Sequence, residues 1–313
     1  DCPNAAPAQR PGLTQVLGLT DVPSSTCGGP WLGRRPIKHT TQSRRLGSIP
    51  SHTPMQTPAL RQFLDEVGKV VHHLNSIAVG LSAVERGAAV KPAELDVSWH
   101  PADVVASGRQ ARAFALRATI VMVAELLGAY IAQVARFPSC KDLAFPPKGE
   151  REQKLEAVKD HFSIGDGELY LGPLLLVHWR NRIIHRKSNA GLTKVEREKL
   201  ISCADVLRQS YKNLEPSLLL EHFENNAPTL KDTSSLIAMT INFVKMVDAA
   251  IPEPSSKEEV MEWIVLLNLE QQLDRVKRVS TAKGKLEIGL RTFLNTHCAF
   301  LTQPYFTHVA SEA

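Results

Sequence analysis

The spacing of apolar residues after Thr57 predicts an amphipathic helix. Thr57 is a residue type that caps helices, and Pro58 suits the first helical position, where the backbone N–H has no partner within the helix. Apolar residues then recur at the spacing of one helix face, at Leu60, Phe63, Val67, Val70, Leu74, Ile77 and Leu81. We expect residues 55–101 to contain this helix and a link to the next one.

A longer helix is predicted from about Ala102 to Ala135. Its main apolar stripe is formed by Leu116, Ile120, Val123, Leu127, Tyr130 and Val134. A second apolar edge is formed by Phe114, Ala118 and Val121. Because two apolar edges require neighbours on both, we expect this helix to be central to a bundle.

The most apolar run of the chain, Ala118 to Ala135, is barely long enough to cross a bilayer, and Glu125 and Gln133 interrupt it. We interpret the run as a buried helix and expect no association with a membrane. The chain does not open with a basic segment followed by an apolar stretch, so no export signal is predicted.

Turn and capping signals divide the rest of the chain into further helices. A shorter helix is predicted from about Glu150 to Phe162. Pro173 is expected to begin another, which ends near Asn189 or Gly191. Capping boxes then mark two later helix starts, at Thr193 with Glu196 and at Ser256 with Glu259. The helix that begins after Thr193 is expected to stop before Pro216.

These elements predict an all-α fold with four parts. Residues 1–54 are rich in Pro, Gly, Ser, Thr and Arg and show no sustained apolar periodicity, and the first methionine is Met55. We expect them to be disordered, or to be a leader translated upstream of the true start. The N-terminal helix and its link follow at 55–101, a helical bundle at 102–215, and a C-terminal helical region at 216–313.

Composition narrows the class of protein further. The formal net charge of +5 and the isoelectric point near 8.9 suit a polyanionic partner, although a mild excess over this length is also ordinary. The five cysteines contain no CxxC pair, which favours a reduced, cytoplasmic protein over a disulfide framework or a zinc site. Because no phosphate loop, GxSxG or HExxH motif is present, we expect no cofactor.

The segment from His178 to Lys187 contains the most informative side chains. On a helical wheel, Arg180 lies in the middle of an apolar stripe that is formed by Leu176, Val177, Ile183 and Ile184. Asn181 and His185 are one turn apart and share the adjoining flank with His178. The pattern predicts a guanidinium that points into the packing surface, bordered by an amide and an imidazole.

A buried Arg180 requires a partner, because an unpaired charge in the interior is costly. An acid, a bound phosphate or a water-filled cleft would each meet this need. Glu125, the lone charged residue of the apolar run, is the candidate acid. A purely structural interpretation is then open: the Arg180–Glu125 pair fixes the register of two helices, and His185 is a helix-end histidine favoured by the helix dipole.

The sequence Arg180-Asn181-Arg182-Ile183-Ile184-His185 resembles the motif of the HEPN superfamily, in which an arginine, a polar residue and a short spacer precede a histidine. The resemblance covers roughly residues 102–214. It implies a HEPN-like helical bundle, here with additional N- and C-terminal helices. Many HEPN proteins are metal-independent endoribonucleases that act as homodimers, and they recur in toxin–antitoxin and antiviral defence systems.

The resemblance assigns catalytic roles to three side chains. His185 would act as general acid or base, Arg180 would stabilise charge on the phosphate, and Asn181 would orient the imidazole or the phosphate. Glu125 is expected to support Arg180. Arg182 and Arg186 add positive charge near His185, which favours its role as a base. RNA is then the expected substrate, with a second copy of the chain and an antitoxin protein as expected partners.

Two other classes of function are weighed against the ribonuclease. The first is a catalytically inactive helical module that dimerises or binds a partner and keeps the motif for packing. The second is a DNA-binding regulator, which is disfavoured because no compact helix-turn-helix pattern precedes a basic recognition helix.

Overall fold

The computed structural model describes residues 56–146, 150–185, 187–254 and 256–298. These residues form eleven α-helices and one short 3₁₀ turn, Pro138–Cys140, and no strand occurs among them. The all-α prediction is therefore confirmed for the part of the chain that the structure describes. The predicted leader, residues 1–54, lies outside it.

The helices are α1 (Pro58–Glu85), α2 (Val104–Val134), α3 (Arg151–His161), α4 (Glu168–Ile184), α5 (Lys194–Ser202), α6 (Ala204–Ser210), α7 (Pro216–Glu224), α8 (Leu230–Ala250), α9 (Lys257–Leu266), α10 (Glu270–Ala282) and α11 (Leu286–His297).

Helices α1 and α2 pack side by side in opposite directions. Near the end of α1, the Glu85 carboxylate accepts hydrogen bonds from the Arg112 guanidinium at 3.1 and 3.2 Å. Near the start of α1, Gln133 Nε2 donates to Gln62 Oε1 at 3.2 Å. Because early residues of one helix meet late residues of the other, the pair is antiparallel. Both predicted helices are confirmed.

Helix α8 belongs to the same core as the predicted bundle, because it packs against α4, α2 and α1. Its Asp248 is fully buried and accepts hydrogen bonds from the backbone N–H and hydroxyl of Thr57 and from the Tyr130 hydroxyl. At Gly172 of α4, an added Cβ would come within 2.7 Å of the Met239 sulfur on α8. A glycine at this position therefore allows the two helices to approach closely.

Helix α4 differs from the prediction at both ends. It begins at Glu168 rather than Pro173, so that the proline lies inside the helix. It ends at Ile184 rather than near Asn189 or Gly191. After this helix the chain returns toward it, and Arg182 Nε donates a hydrogen bond of 2.7 Å to the Ala190 carbonyl. This contact between two separate segments has no signature in the helical periodicity.

The segment that follows Thr193 also differs from the prediction, since its single expected helix divides into α5 and α6 at Cys203. The two N-terminal caps were correctly predicted. Thr193 and Glu196 form a reciprocal capping box, and the Ser256 side chain accepts a hydrogen bond from the Glu259 N–H.

Only one of the two apolar faces of α2 is covered. The main stripe is buried, whereas Phe114 is 74% exposed and Met122 is 50% exposed on the opposite side. The central place of α2 in the bundle is confirmed, since it packs against α1, α3, α4 and α8, but its second predicted edge is left exposed at Phe114 and Ala118 by the described residues. By length and composition alone, α2 is the one described helix that could span a membrane, and half of its most apolar window is buried against the rest of the fold.

Candidate functional site

The predicted partner of Arg180 is present. Glu125 Oε1 on α2 accepts hydrogen bonds from Arg180 Nε at 3.0 Å and from Arg180 Nη2 at 2.9 Å. The wheel prediction holds in part, because Leu176 and Val177 are buried but Ile184 is 47% exposed. Arg180 therefore lies at the edge of the packing surface, with 17% of its side chain exposed.

A second arginine, which the sequence analysis missed, shares the same carboxylate. Arg151 at the start of α3 donates from Nη2 to Glu125 Oε2 at 2.5 Å. Burial raises the pKa of Glu125, but the hydrogen bonds from Arg151 and Arg180 lower it by more, so the pKa lies below its ordinary value of 4.5. Glu125 is therefore ionised near neutral pH and holds two guanidinium groups on one side of the fold.

Asn181 connects Arg180 to α3. Its Oδ1 accepts a hydrogen bond from Arg180 Nη1 at 3.1 Å, and its Nδ2 donates to Glu152 Oε1 at 2.7 Å. His178 Nδ1 lies 3.4 Å from the same Glu152 oxygen. Because the His178 ring and the Asn181 amide both face this carboxylate, the pKa of Glu152 lies below its ordinary value, although burial opposes the shift. The Asn181 side chain therefore positions Arg180 and makes no hydrogen bond to the imidazole of His185.

His185 lies just beyond the end of α4 instead of within it. Its backbone is extended, with φ −110° and ψ 91°, and its N–H donates to the Asn181 carbonyl at 2.8 Å. The side chain is exposed, and its ring makes no hydrogen bond to any of the described residues. An imidazole in this state is accessible to solvent and to a ligand.

His185 borders an open cleft of about 580 Å³ between α3, the end of α4 and the loop that follows. The cleft is lined by Glu150, Arg151, Glu152, Arg180, Asn181, His185, Ser188, Asn189 and Ala190. Two arginines and two glutamates face it, so its ionised groups are mixed in sign. The structure thus brings the three predicted catalytic residues together on one wall of a cleft, with Glu125 behind Arg180.

Arg182 does not face this cleft. It donates to the carbonyls of Ala190 and Phe223, pairs with Glu224, and stacks on the Phe223 ring at 4.0 Å. These contacts turn the guanidinium toward α7, so Arg182 lies outside the cleft that His185 borders. Arg186 lies outside the described residues.

Two further features bear on the identity of the site. Among the residues that the structure describes, no three His, Cys, Asp or Glu side chains come together as metal ligands would. Comparison of the chain with protein-family models, with curated proteins and with solved structures finds no match. The function of the chain therefore has to be inferred from its own side chains.

Proposed function

We propose that this protein is a metal-independent endoribonuclease of the HEPN type, with His185, Arg180 and Asn181 at its active site. The observation that carries the proposal is the exposed His185 imidazole, which shares an open cleft with Arg180 and Asn181. General acid–base catalysis requires such a group within reach of solvent and ligand. The order of these residues along the chain also resembles the HEPN motif.

The reaction is an internal transesterification of RNA. The ribose 2′-oxygen attacks the adjacent phosphorus, the bond from phosphorus to the 5′-oxygen breaks, and a 2′,3′-cyclic phosphate forms. His185 takes the proton from the 2′-hydroxyl as that oxygen attacks. A proton from solvent or from a second acid neutralises the leaving 5′-oxygen. Arg180 stabilises the negative charge that grows on the phosphate.

The contact between Glu125 and Arg180 is compatible with phosphate binding. Arg151 and Arg180 carry two positive charges beside the single negative charge of Glu125. Glu150 and Glu152 add two negative charges at the same cleft, so a phosphate is attracted by the guanidinium groups locally and not by a net positive charge. Glu125 fixes the direction of the guanidinium, which lowers the entropic cost of binding an anion. Arg180 is then oriented before the substrate arrives.

We also propose that two copies of the chain form a homodimer. The exposed stripe of α2 supports this, since Phe114, Ala118, Met122 and Ala129 lie within about 80° of one another on the wheel, at 100° per residue. Exposed apolar patches of this kind mark association surfaces. Glu125 lies in the middle of the same stripe, so a partner that covers it also approaches the cleft. We expect the protein to act in the cytoplasm in a toxin–antitoxin or antiviral setting, with an antitoxin protein as a further partner.

A second candidate function is a catalytically inactive helical module that dimerises or binds a partner. The observation in its favour is that every nitrogen of the Arg180 guanidinium already has a protein partner, since Nε and Nη2 donate to Glu125 and Nη1 donates to Asn181. A guanidinium held in this way connects α2, α4 and α3 whether or not a substrate binds.

An assay of purified protein against a panel of end-labelled RNAs tests the proposal. Cleavage is expected to persist in EDTA, to leave a 2′,3′-cyclic phosphate, and to spare DNA of the same sequence, which lacks the 2′-hydroxyl. Cleavage that requires added metal, or equal cleavage of DNA, would remove this mechanism. No cleavage of any RNA would leave the helical module as the better account.

A further inference from the structure

A second cleft adjoins the one that contains His185. It has a volume of about 340 Å³ and is lined by Arg182, Ser188, Asn189 and Asn226. Ser188 and Asn189 line both clefts, so the two are separated only by this part of the loop after α4. A nucleic-acid strand that crosses this part of the loop would place neighbouring nucleotide groups in the two clefts.

The Arg182 guanidinium lies at this second cleft as a flat surface whose Nη2 makes no hydrogen bond to the described residues. Its Nε and Nη1 are already used by Ala190, Phe223 and Glu224. One side of the plane rests on the Phe223 ring, and only 18% of the side chain is exposed. A planar nucleobase can stack on such a guanidinium, and the free Nη2 can donate a hydrogen bond to an acceptor on the edge of a base.

The remaining groups of the second cleft are amides and a hydroxyl. Asn189 is exposed, and its side chain makes no hydrogen bond to the described residues. Asn226 has a left-handed backbone conformation, with φ 48°, and its Oδ1 accepts a hydrogen bond of 3.1 Å from Trp179 Nε1. The Nδ2 group of Asn226 remains available to donate. Amides of this kind present donors and acceptors that match the edge of a nucleobase.

We propose that the second cleft binds one nucleobase of a single-stranded RNA, next to the nucleotide whose phosphate lies at His185. The base stacks on Arg182, and the Asn189 amide reads its edge. The cleft thereby gives the protein a preference for one base over others. This inference rests on the proposed endoribonuclease function, since that function places an RNA strand across the loop.

The test measures binding without cleavage. Short oligo-A, oligo-C and oligo-U strands with 2′-O-methyl riboses lack the attacking hydroxyl, and fluorescence anisotropy gives their affinities for the full chain. We expect the highest and the lowest of the three affinities to differ on the order of tenfold, because an amide that pairs well with a base edge can discriminate to this extent. Asn189→Asp keeps the shape of the side chain but replaces a donor by an acceptor, and we expect it to reduce the difference below about threefold.

Asn75→Asp on the exposed face of α1 is the matched control. It adds the same charge outside both clefts and should leave the base preference unchanged. Equal affinities for the three strands, no binding at all, or a preference that survives Asn189→Asp would each overturn the subsite. RNA cleavage together with equal affinities for the three strands would support the endoribonuclease function and exclude this subsite. Selective binding without cleavage of any RNA would support the subsite and remove the endoribonuclease.

Discussion

Arg180 and Glu125 are joined by two hydrogen bonds to a single carboxylate oxygen, while the other oxygen of Glu125 binds Arg151. One carboxylate on α2 therefore holds the end of α4 and the start of α3. Side chains of α3 and α4 line the cleft beside His185, and Glu125 of α2 lies behind Arg180. This arrangement makes Glu125 both a structural contact and a positioning residue for the proposed catalytic arginine.

Substitution of Glu125 separates these two roles. Glu125→Gln keeps the size of the side chain but removes its charge, and we expect a loss of about 1 kcal/mol in the free energy of unfolding, because the carboxylate is 42% exposed. The pKa of Glu125 is lowered in the folded state, so its stabilising contribution is present above the unfolded value near 4.5 and is lost as the pH falls through the folded pKa. Denaturant titrations at neutral and acid pH measure this difference.

Glu262→Gln is the control for Glu125→Gln. Glu262 is similarly exposed, at 44%, but meets the single cation Lys141. We expect it to cost less than Glu125→Gln at neutral pH and to leave RNA cleavage unchanged. A cost for Glu125→Gln that grows as the pH falls would contradict the assigned direction of the Glu125 pKa.

Substitution of His185 tests the chemistry with little effect on the fold. The side chain is exposed and lies beyond the last residue of α4, so His185→Ala should leave the unfolding midpoint unchanged. We expect the cleavage rate to fall on the order of a hundredfold or more, which is typical for loss of a positioned general acid or base. His100→Ala, at an exposed position in the link between α1 and α2, is the control. A fully active His185→Ala protein would rule out the proposed mechanism.

The sequence was sufficient to predict the contacts that depend on strong local patterns. The cap at Thr57 and the apolar repeat after it gave the start of α1, and the single acid in the apolar run gave Glu125 as the partner of Arg180. Both signals are strong because a capping side chain and a charge within an apolar helix each restrict the possible environment.

The sequence could not predict contacts that depend on how separate helices meet. Arg151 and Glu152 reach the site only because α3 packs across α4, and no periodicity of α3 indicates that direction. The end of α4 was placed too late for a similar reason, since the contact of Arg182 with Ala190 joins two segments that the helical periodicity does not relate. The second apolar face of α2 was predicted to pack within the chain, but it is exposed. Apolar residues indicate that a face is favourably buried, but they do not indicate whether the same chain or another molecule covers it.

The buried Asp248 predicts a pH dependence of opposite sign to that of Glu125. Burial raises the pKa of Asp248 above its ordinary value of 3.8 by more than the hydrogen bonds from Thr57 and Tyr130 lower it. The folded state therefore binds more protons at this position than the unfolded chain does. The contribution of Asp248 to stability is fully present below the unfolded pKa and is lost as the pH rises through the folded pKa.

Asp248→Asn isolates this effect. The stability of the natural protein relative to the variant should be greatest at acid pH and should decrease as the pH rises, because the amide does not titrate. Urea titrations of both proteins from acid to neutral pH measure the difference between their free energies of unfolding. The contributions of the other carboxylates cancel in this difference. An advantage of the natural protein that grows with pH would show that the hydrogen bonds outweigh burial at Asp248.

The uncovered face of α2 predicts the assembly of the protein. If a second copy covers the stripe, Phe114→Glu places a charge in an apolar interface, and the dimer should dissociate at micromolar concentration. Ile288→Glu is a matched control, because Ile288 is 64% exposed on α11, whereas Phe114 is 74% exposed. Light scattering should give a dimer for the natural protein and for Ile288→Glu, and a monomer for Phe114→Glu with an unchanged circular dichroism spectrum. A natural protein that is monomeric and still cleaves RNA would show that one copy of the cleft is sufficient.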